Sequence, residues 1–240
     1  MNDLKNKRVV ITGGSSGIGF ATAKMAVESG AEVIIAGRSK DKLATAKHAI
    51  GNTVQTKVLD VSDENSVISF FNEIENFDHL ITPAAGSVMG PFLEQDSKNV
   101  ISFIESKLLG QYYTVKHAVP KLNKTGSITL FSGIVSRKPF VGGSSFAMAA
   151  GAIESLTRCL ALELAPIRVN CITPGIIATE IWDSLMPKDM QEQTFSQFAS
   201  QLPSGRVGTA DDVCKAISYL LSNTFVTGSI VDVDGGHRVI

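Results

Sequence analysis

Cysteine is scarce in this chain, and its three copies, Cys159, Cys171 and Cys214, are odd in number, far apart and set in apolar patterns. A disulfide framework and a thiolate metal centre are therefore not expected, and all three read as buried free thiols. The four histidines, His48, His79, His117 and His237, show no ligand spacing, so no metal is expected. Neither sign of charge dominates: 22 basic and 23 acidic residues leave a formal net charge of −1, interspersed along the chain. That pattern excludes a basic nucleic-acid face and an acidic tail. No apolar run approaches the length of a membrane span, and the polar start from Met1 to Arg8 lacks the apolar core of a signal peptide. A soluble, cytoplasmic protein that binds neither membrane nor nucleic acid is the expectation. Linkers rich in Pro, Ser or Gly are also missing, as are internal repeats.

What is present is an alternation of strand and helix. With 44% hydrophobic and 19% charged residues among 240, the chain can bury a large core. Strand patterns fall at Val9 to Thr12, Glu32 to Gly37, Val54 to Leu59, His79 to Thr82, Ser127 to Phe131, Arg168 to Ile172 and Ser229 to Val233. Helical patterns lie between them: Phe20 to Ser29, Lys40 to Ile50 behind an N-cap at Ser39, and a segment reaching Ile74 behind Ser62-Asp63. Two longer ones run from Ser97 to Leu122 and from Ser144 to Leu164, and a last one begins with a capping box at Thr209-Ala210-Asp211-Asp212. The stretch from Pro174 to Pro203 has weak periodicity, with Trp182, Met186, Met190, Phe195 and Phe198 scattered among polar residues, and reads as a mobile flap at about 175–205. The whole pattern predicts one α/β domain over 1–240, a doubly wound parallel sheet of Rossmann type with helices on both faces in three layers.

The first strand runs straight into Gly13, Gly17 and Gly19, with Ser15, Ser16 and Ile18 among them, and a helix follows at once. Glycines permit the tight turn and a close approach by pyrophosphate, while the free N–H groups at the helix start attract the anion. A dinucleotide cradle is the expected use of this turn. After the second strand the chain reads Ala36-Gly37-Arg38-Ser39, with no carboxylate to receive a ribose 2′-hydroxyl. Arg38 can pair with a 2′-phosphate and stack on adenine, and Ser39 can add a hydrogen bond, so NADP(H) is expected in preference to NAD(H).

Several motifs fall in one order over nearly the whole chain: Thr12-Gly13-x-x-x-Gly17-Ile18-Gly19, Asp60-Val61, Gly126-Ser127-Ile128, Arg168-Val169-Asn170 with Pro174-Gly175, and Asp234-Gly235-Gly236. Together they resemble the short-chain dehydrogenase/reductase superfamily. The resemblance implies that Gly13, Gly17, Ile18 and Gly19 hold the pyrophosphate, Asp60 and Val61 the adenine, and Thr179 the nicotinamide end. Ala84, Ala85 and Gly86, in Pro83-Ala84-Ala85-Gly86 where the family has an Asn-Asn-Ala-Gly turn, and Pro174, Gly175 and Ile177 complete the expected cofactor contacts. It also implies a homodimer or homotetramer paired through the two long helices, since Phe146 to Ile153 is small and apolar around most of its circumference.

The family's proton machinery is not matched. Phe146 and Ala150 occupy the positions of its tyrosine and lysine, Gly133 that of its serine, and Lys107 that of its asparagine. A positioned general acid is worth roughly 10²–10⁴ in rate, so ordinary chemistry by the ordinary route is not expected. Lys107 is a candidate substitute, as an oxyanion-stabilising ammonium, an acid or an anion-binding group, with a solvent-facing lysine as the alternative. Ser132, Ser144 and Ser145 are candidate hydroxyl donors, Ser132 foremost, with structural roles as their alternative. Two functions remain open at this point: an NADP(H)-dependent oxidoreductase acting on a carbonyl, alcohol or activated alkene by a non-standard proton route, and an inactive NADP(H)-binding sensor or partner subunit.

Overall fold

The computed structural model describes residues 4–84, 86 and 88–240. Ala85, among the expected cofactor contacts, lies outside the described residues. In chain order the elements are β1 (Arg8–Thr12), α1 (Gly17–Glu28), β2 (Glu32–Gly37), α2 (Lys40–Ile50), β3 (Gln55–Val58), α3 (Glu64–Asn72), β4 (Phe77–Ile81) and α4 (Ser97–Ile104). There follow α5 (Gly110–Ala118), β5 (Leu122–Phe131), α6 (Ser144–Glu163), β6 (Arg168–Pro174), β7 (Ile177–Ala178), α7 (Lys188–Gln201), β8 (Gly208–Thr209), α8 (Ala210–Ser222) and β9 (Ile230–Val233). Seven of the strands make one parallel sheet in the order β3-β2-β1-β4-β5-β6-β9, and β7 pairs with β8 apart from it. The direction of winding reverses between β1 and β4, which opens a crevice at their carboxyl ends.

Alternation of side chains along each strand feeds two cores. On one face Val10, Leu80, Ile128 and Val169 pack with Phe70, Val115 and Ile153 from α3, α5 and α6. On the other, Val9, Ile11, Ile81 and Ile172 pack with Ala23, Leu43 and Ile217 from α1, α2 and α8. Both faces are covered, so the central strands read as apolar runs rather than as alternating ones. The expected caps form: Ser39 Oγ accepts from Lys42 N, Asp63 Oδ1 from Asn65 N, and Thr209 and Asp212 make a reciprocal capping box.

Three expectations are corrected. The pattern from Ser97 to Leu122 is not one helix: a π-helical turn, Glu105–Leu109, separates α4 from α5, and the chain enters β5 at Leu122. A wide turn of this kind shifts the hydrogen-bond register while the residues keep their helical propensity, so periodicity does not reveal it. The weakly periodic stretch after Pro174 holds regular structure: β7, a 3-10 turn Glu180–Ser184 and the 14-residue α7. Its scattered aromatics converge, with the Trp182 ring edge-on to Phe195 at 5.2 Å and 6.2 Å from Phe198. Among the cysteines, Cys171 and Cys214 are buried but Cys159 is exposed.

His79 on β4 sits opposite Ser127 on β5 in the ladder, and its Nδ1 lies 2.8 Å from Ser127 Oγ. Burial pushes its pKa down to about 4, with neighbouring Arg168 and Lys7 acting the same way and Asp78 opposing them. A histidine held neutral in the fold must take up a proton on unfolding, so its contribution is complete above the unfolded pKa near 6.5 and is lost as pH falls toward about 4. Chemical denaturation across this window is expected to show stability falling by roughly 3 kcal/mol from this group. A His79→Gln variant with the same slope would contradict that assignment.

Candidate functional site

At the carboxyl ends of the strands lies a cavity of about 810 Å³. It brings together Gly13, Ser15, Ser16, Gly17, Ile18, Gly19, Arg38, Ser39, Asp60, Val61, Ala84, Gly86, Pro174, Gly175, Ile177 and Thr179, together with Lys107 and Ser132. Every described residue expected to contact the cofactor lines this one space, as do Lys107 and Ser132. The turn after β1 has glycine where geometry requires it: Gly13 and Gly17 have φ of +69° and +52°. A Cβ on Gly13 would sit 2.8 Å from Ala84 Cα, and one on Gly19 would sit 2.1 Å from Gly13 O. Any larger residue at either position would force the surrounding backbone apart.

The cradle fits an anion, and the structure shows this directly. Ser16, at the N-cap of α1, makes no capping bond with its side chain, and the first turn holds no acidic residue. The Gly17 N–H instead donates to a carboxylate oxygen of Glu180 at 2.9 Å. At the other end Arg38 is exposed. No hydrogen bond or ion pair engages its guanidinium among the described residues. Asp60 is fixed by Ser62, whose N–H and Oγ donate to Oδ1 at 3.0 and 2.6 Å. Ile177 is a partial exception, since its side chain belongs to the core beneath, and its carbonyl accepts from Trp182 Nε1 at 2.8 Å.

The wall of the cavity that carries Lys107 is made by side chains. The π turn carries Lys107 inward, leaving it 4% exposed. Its Nζ donates to the Ser132 carbonyl at 3.1 Å and lies 5.7 Å from the centre of the Phe146 ring. No carboxylate pairs with it among the described residues. Burial pushes its pKa down to about 8, with Cys171 acting weakly in the opposite direction. The solvent-facing alternative for this lysine is therefore set aside.

Ser132 lies beside it but has its hydroxyl engaged, with Oγ 3.0 Å from Ala150 O and 3.1 Å from Glu154 Oε1. Glu154, buried one turn beyond Ala150, also accepts from Ser136 Oγ at 2.5 Å and pairs with Arg137 at 3.4 Å. Arg137 in turn holds Asp232 at 2.5 Å. Ser144 and Ser145, at the start of α6, do not line the cavity. Ser145 is bonded to Gln95.

Sequence reasoning missed Glu180 and Glu154. Glu180 acts across 163 positions of chain, and no local pattern marks it. Glu154 has the sequence surroundings of a solvated mid-helix acid, and only the fold closes Ser132, Ser136 and Arg137 around it.

Comparison with known proteins identifies the family. A family model described as enoyl-(acyl carrier protein) reductase matches residues 13–238. A short-chain dehydrogenase/reductase of Stachybotrys chlorohalonatus is 32% identical, the match covering 98% of each chain. A 3-oxoacyl-(acyl-carrier-protein) reductase of Chlamydia muridarum is also 32% identical, covering 97% of this chain and 98% of that one. Among solved structures, a small-chain dehydrogenase in complex with NADPH superposes with a TM-score of 0.86 at 33% identity, covering 98% of this chain and 100% of the other.

Phe146 and Gly133 form one packing unit. A Cβ on Gly133 would meet Phe146 Cε1 at 2.8 Å, and the Phe146 ring stacks on Phe103 with centroids 5.3 Å apart. Gly133→Ala is expected to cost about 1–3 kcal/mol by overpacking, and Phe146→Leu to recover most of that, measured by denaturation as a double-mutant cycle. Strictly additive effects would contradict the contact. With a family match spanning residues 13–238 and relatives 32% identical over nearly the whole chain, the chain belongs to the short-chain dehydrogenase/reductase superfamily.

Proposed function

We propose that the protein is an NADP(H)-dependent oxidoreductase that reduces a carbonyl or a carbonyl-activated alkene, with Lys107 in place of the usual tyrosine as the group that meets the developing oxyanion. The observation that carries this reading is the buried ammonium of Lys107 on the cavity wall, without a carboxylate partner among the described residues. When bound, NADPH supplies the hydride. Gly13 to Gly19 hold its pyrophosphate, Arg38 and Ser39 its 2′-phosphate, Asp60 and Val61 its adenine, and Pro174, Gly175 and Thr179 its nicotinamide end. The NADPH complex of a structural relative supports the choice of cofactor. The names of the matched reductases support a C=O or an activated C=C as the acceptor. Both reductions build negative charge on an oxygen, and one cationic donor serves either.

An ammonium offers three N–H bonds, of which Lys107 gives one to Ser132 O. The others are available to a ligand oxygen. With a pKa of about 8 the group is still charged at neutral pH, yet gives up its proton more readily than a solvated lysine. Apolar side chains, among them Phe140, Ile134, Met89 and Trp182, line the rest of the space and favour a small, partly apolar substrate. Self-association through α4, α5 and α6 belongs to the same proposal, on the exposed Ile101, Tyr112 and Met148 of those helices. So does a cytoplasmic location; no helix among the described residues is long and apolar enough to cross a membrane.

The second reading, an NADP(H)-binding protein without turnover, is favoured by the engaged hydroxyl of Ser132 and by the absence of donors on the side chains of Gly133, Phe146 and Ala150. One experiment separates the two. NADPH consumption is followed with a panel of ketones, aldehydes and α,β-unsaturated carbonyls, using the parent and Lys107→Met. The oxidoreductase reading expects turnover that is lost as pH rises through about 8, and a fall of about 10²–10³ on removing the ammonium. Binding without turnover across the panel supports the second reading, and turnover indifferent to Lys107→Met contradicts the role given to this residue.

A further inference from the structure

The helices α2, α3, α4 and α8 are each capped by their own neighbouring side chain, Ser39, Asp63, Asp96 and Thr209. α1 is not. Its Ser16 leaves the first amides to others, and Glu180 reaches across from a distant part of the chain to take the Gly17 N–H. Glu180 opens the 3-10 turn Glu180–Ser184, which follows directly from Thr179. Gly17, Thr179, Glu180, Ile181, Trp182 and Leu185 line the same cavity. A carboxylate therefore stands on the amide that the glycine turn presents to a phosphate. A helix N-terminus favours one negative group strongly, and a second one arriving beside it meets repulsion.

We propose that Glu180 is a carboxylate latch: it occupies the Gly17 amide until the pyrophosphate of NADP(H) displaces it, and its release moves the Trp182-bearing wall of the substrate cavity. This rests on the NADP(H) reading above and adds an order of events to it. The cofactor takes the cradle first, and the wall reaches its substrate-ready position only then. The mechanical link is short. Trp182 lies two residues beyond Glu180, its ring is packed on Phe195 and Phe198 of α7, and its indole N–H is tied to Ile177 O. Freeing Glu180 from Gly17 thus changes the tether on the turn that carries the indole. The opposite arrangement, in which Glu180 stays in place and braces the cradle for the cofactor, predicts the reverse sign for every substitution effect.

The chain holds one tryptophan, so indole fluorescence reports this segment alone. NADP+ is titrated by calorimetry into the full-length parent, Glu180→Gln and Glu180→Ala, with Trp182 emission recorded before and after. Glutamine keeps an acceptor for the Gly17 N–H and the shape of the turn, which guards against a variant that fails merely by misfolding. Both substitutions are expected to tighten the NADP+ dissociation constant by roughly threefold to thirtyfold. The parent's emission is expected to shift on binding, and Glu180→Ala to show the shifted spectrum before any NADP+ is added. Unchanged or weakened affinity in both variants, or parent emission indifferent to bound NADP+, overturns the latch while leaving the cofactor assignment standing. Failure of the parent and both variants to bind NADP+ or NADPH overturns the cofactor assignment, and the latch with it. Binding by the variants alone supports both.

Discussion

An ammonium group held out of water, with no carboxylate beside it among the described residues, is the constraint around which one wall of the cavity is arranged. Removing a charge from water costs several kcal/mol even after relaxation, and Lys107 recovers part of that from the Ser132 carbonyl and the face of Phe146. The remainder appears as the depressed pKa. The surrounding residues fit this one constraint. The π turn brings Lys107 inward, Phe146 supplies an aromatic face, and Gly133 leaves room for that ring. These features thus hang together physically, as parts of one packed wall.

Ser132 is the hub between this site and the rest of the fold. Its position at the end of β5 is fixed by the sheet, where its N–H donates to Ile172 O. Its carbonyl holds Lys107 and its hydroxyl is bonded to the buried Glu154, which leads through Arg137 to Asp232 on β9. The cofactor end of the crevice is organised by a different rule. There the backbone makes the site, with glycines at Gly13 and Gly17 in conformations that larger residues adopt poorly and the amide of Gly17 directed at an anion. One half of the cavity is shaped by its main chain, while the other is shaped by side chains.

That division explains what could be read from the residues alone. The sheet and the cradle were legible because apolar strands, glycines and caps leave local signatures: the Val9 to Gly19 stretch states its strand, turn and helix start within a single short run. The caps at Ser39, Asp63 and Thr209 were equally local. Features made by distant parts of the chain were not legible. The π turn has no compositional mark, the cluster of Trp182 with Phe195 and Phe198 follows no simple period, and the pairing of Glu180 with Gly17 joins residues far apart in the chain. Cys159 sits in an apolar-looking helix yet on its outer face, because composition carries the pattern but not the rotation of α6 against the sheet. The orientation of Lys107 depended on the same missing information, since the shift of register in the π turn decides whether that side chain meets solvent or the cavity.

The ionisation of Lys107 tests the central claim most directly. Titration of the protein with ¹⁵N-labelled lysine, its side-chain amine followed by NMR and assigned by loss of the signal in a Lys107→Met sample, reads the group without requiring a substrate. A midpoint of about 8 is expected for a buried ammonium without a carboxylate partner. A midpoint at the ordinary lysine value of 10.5 would show a hydrated or ion-paired group, and would contradict the role proposed for this cation.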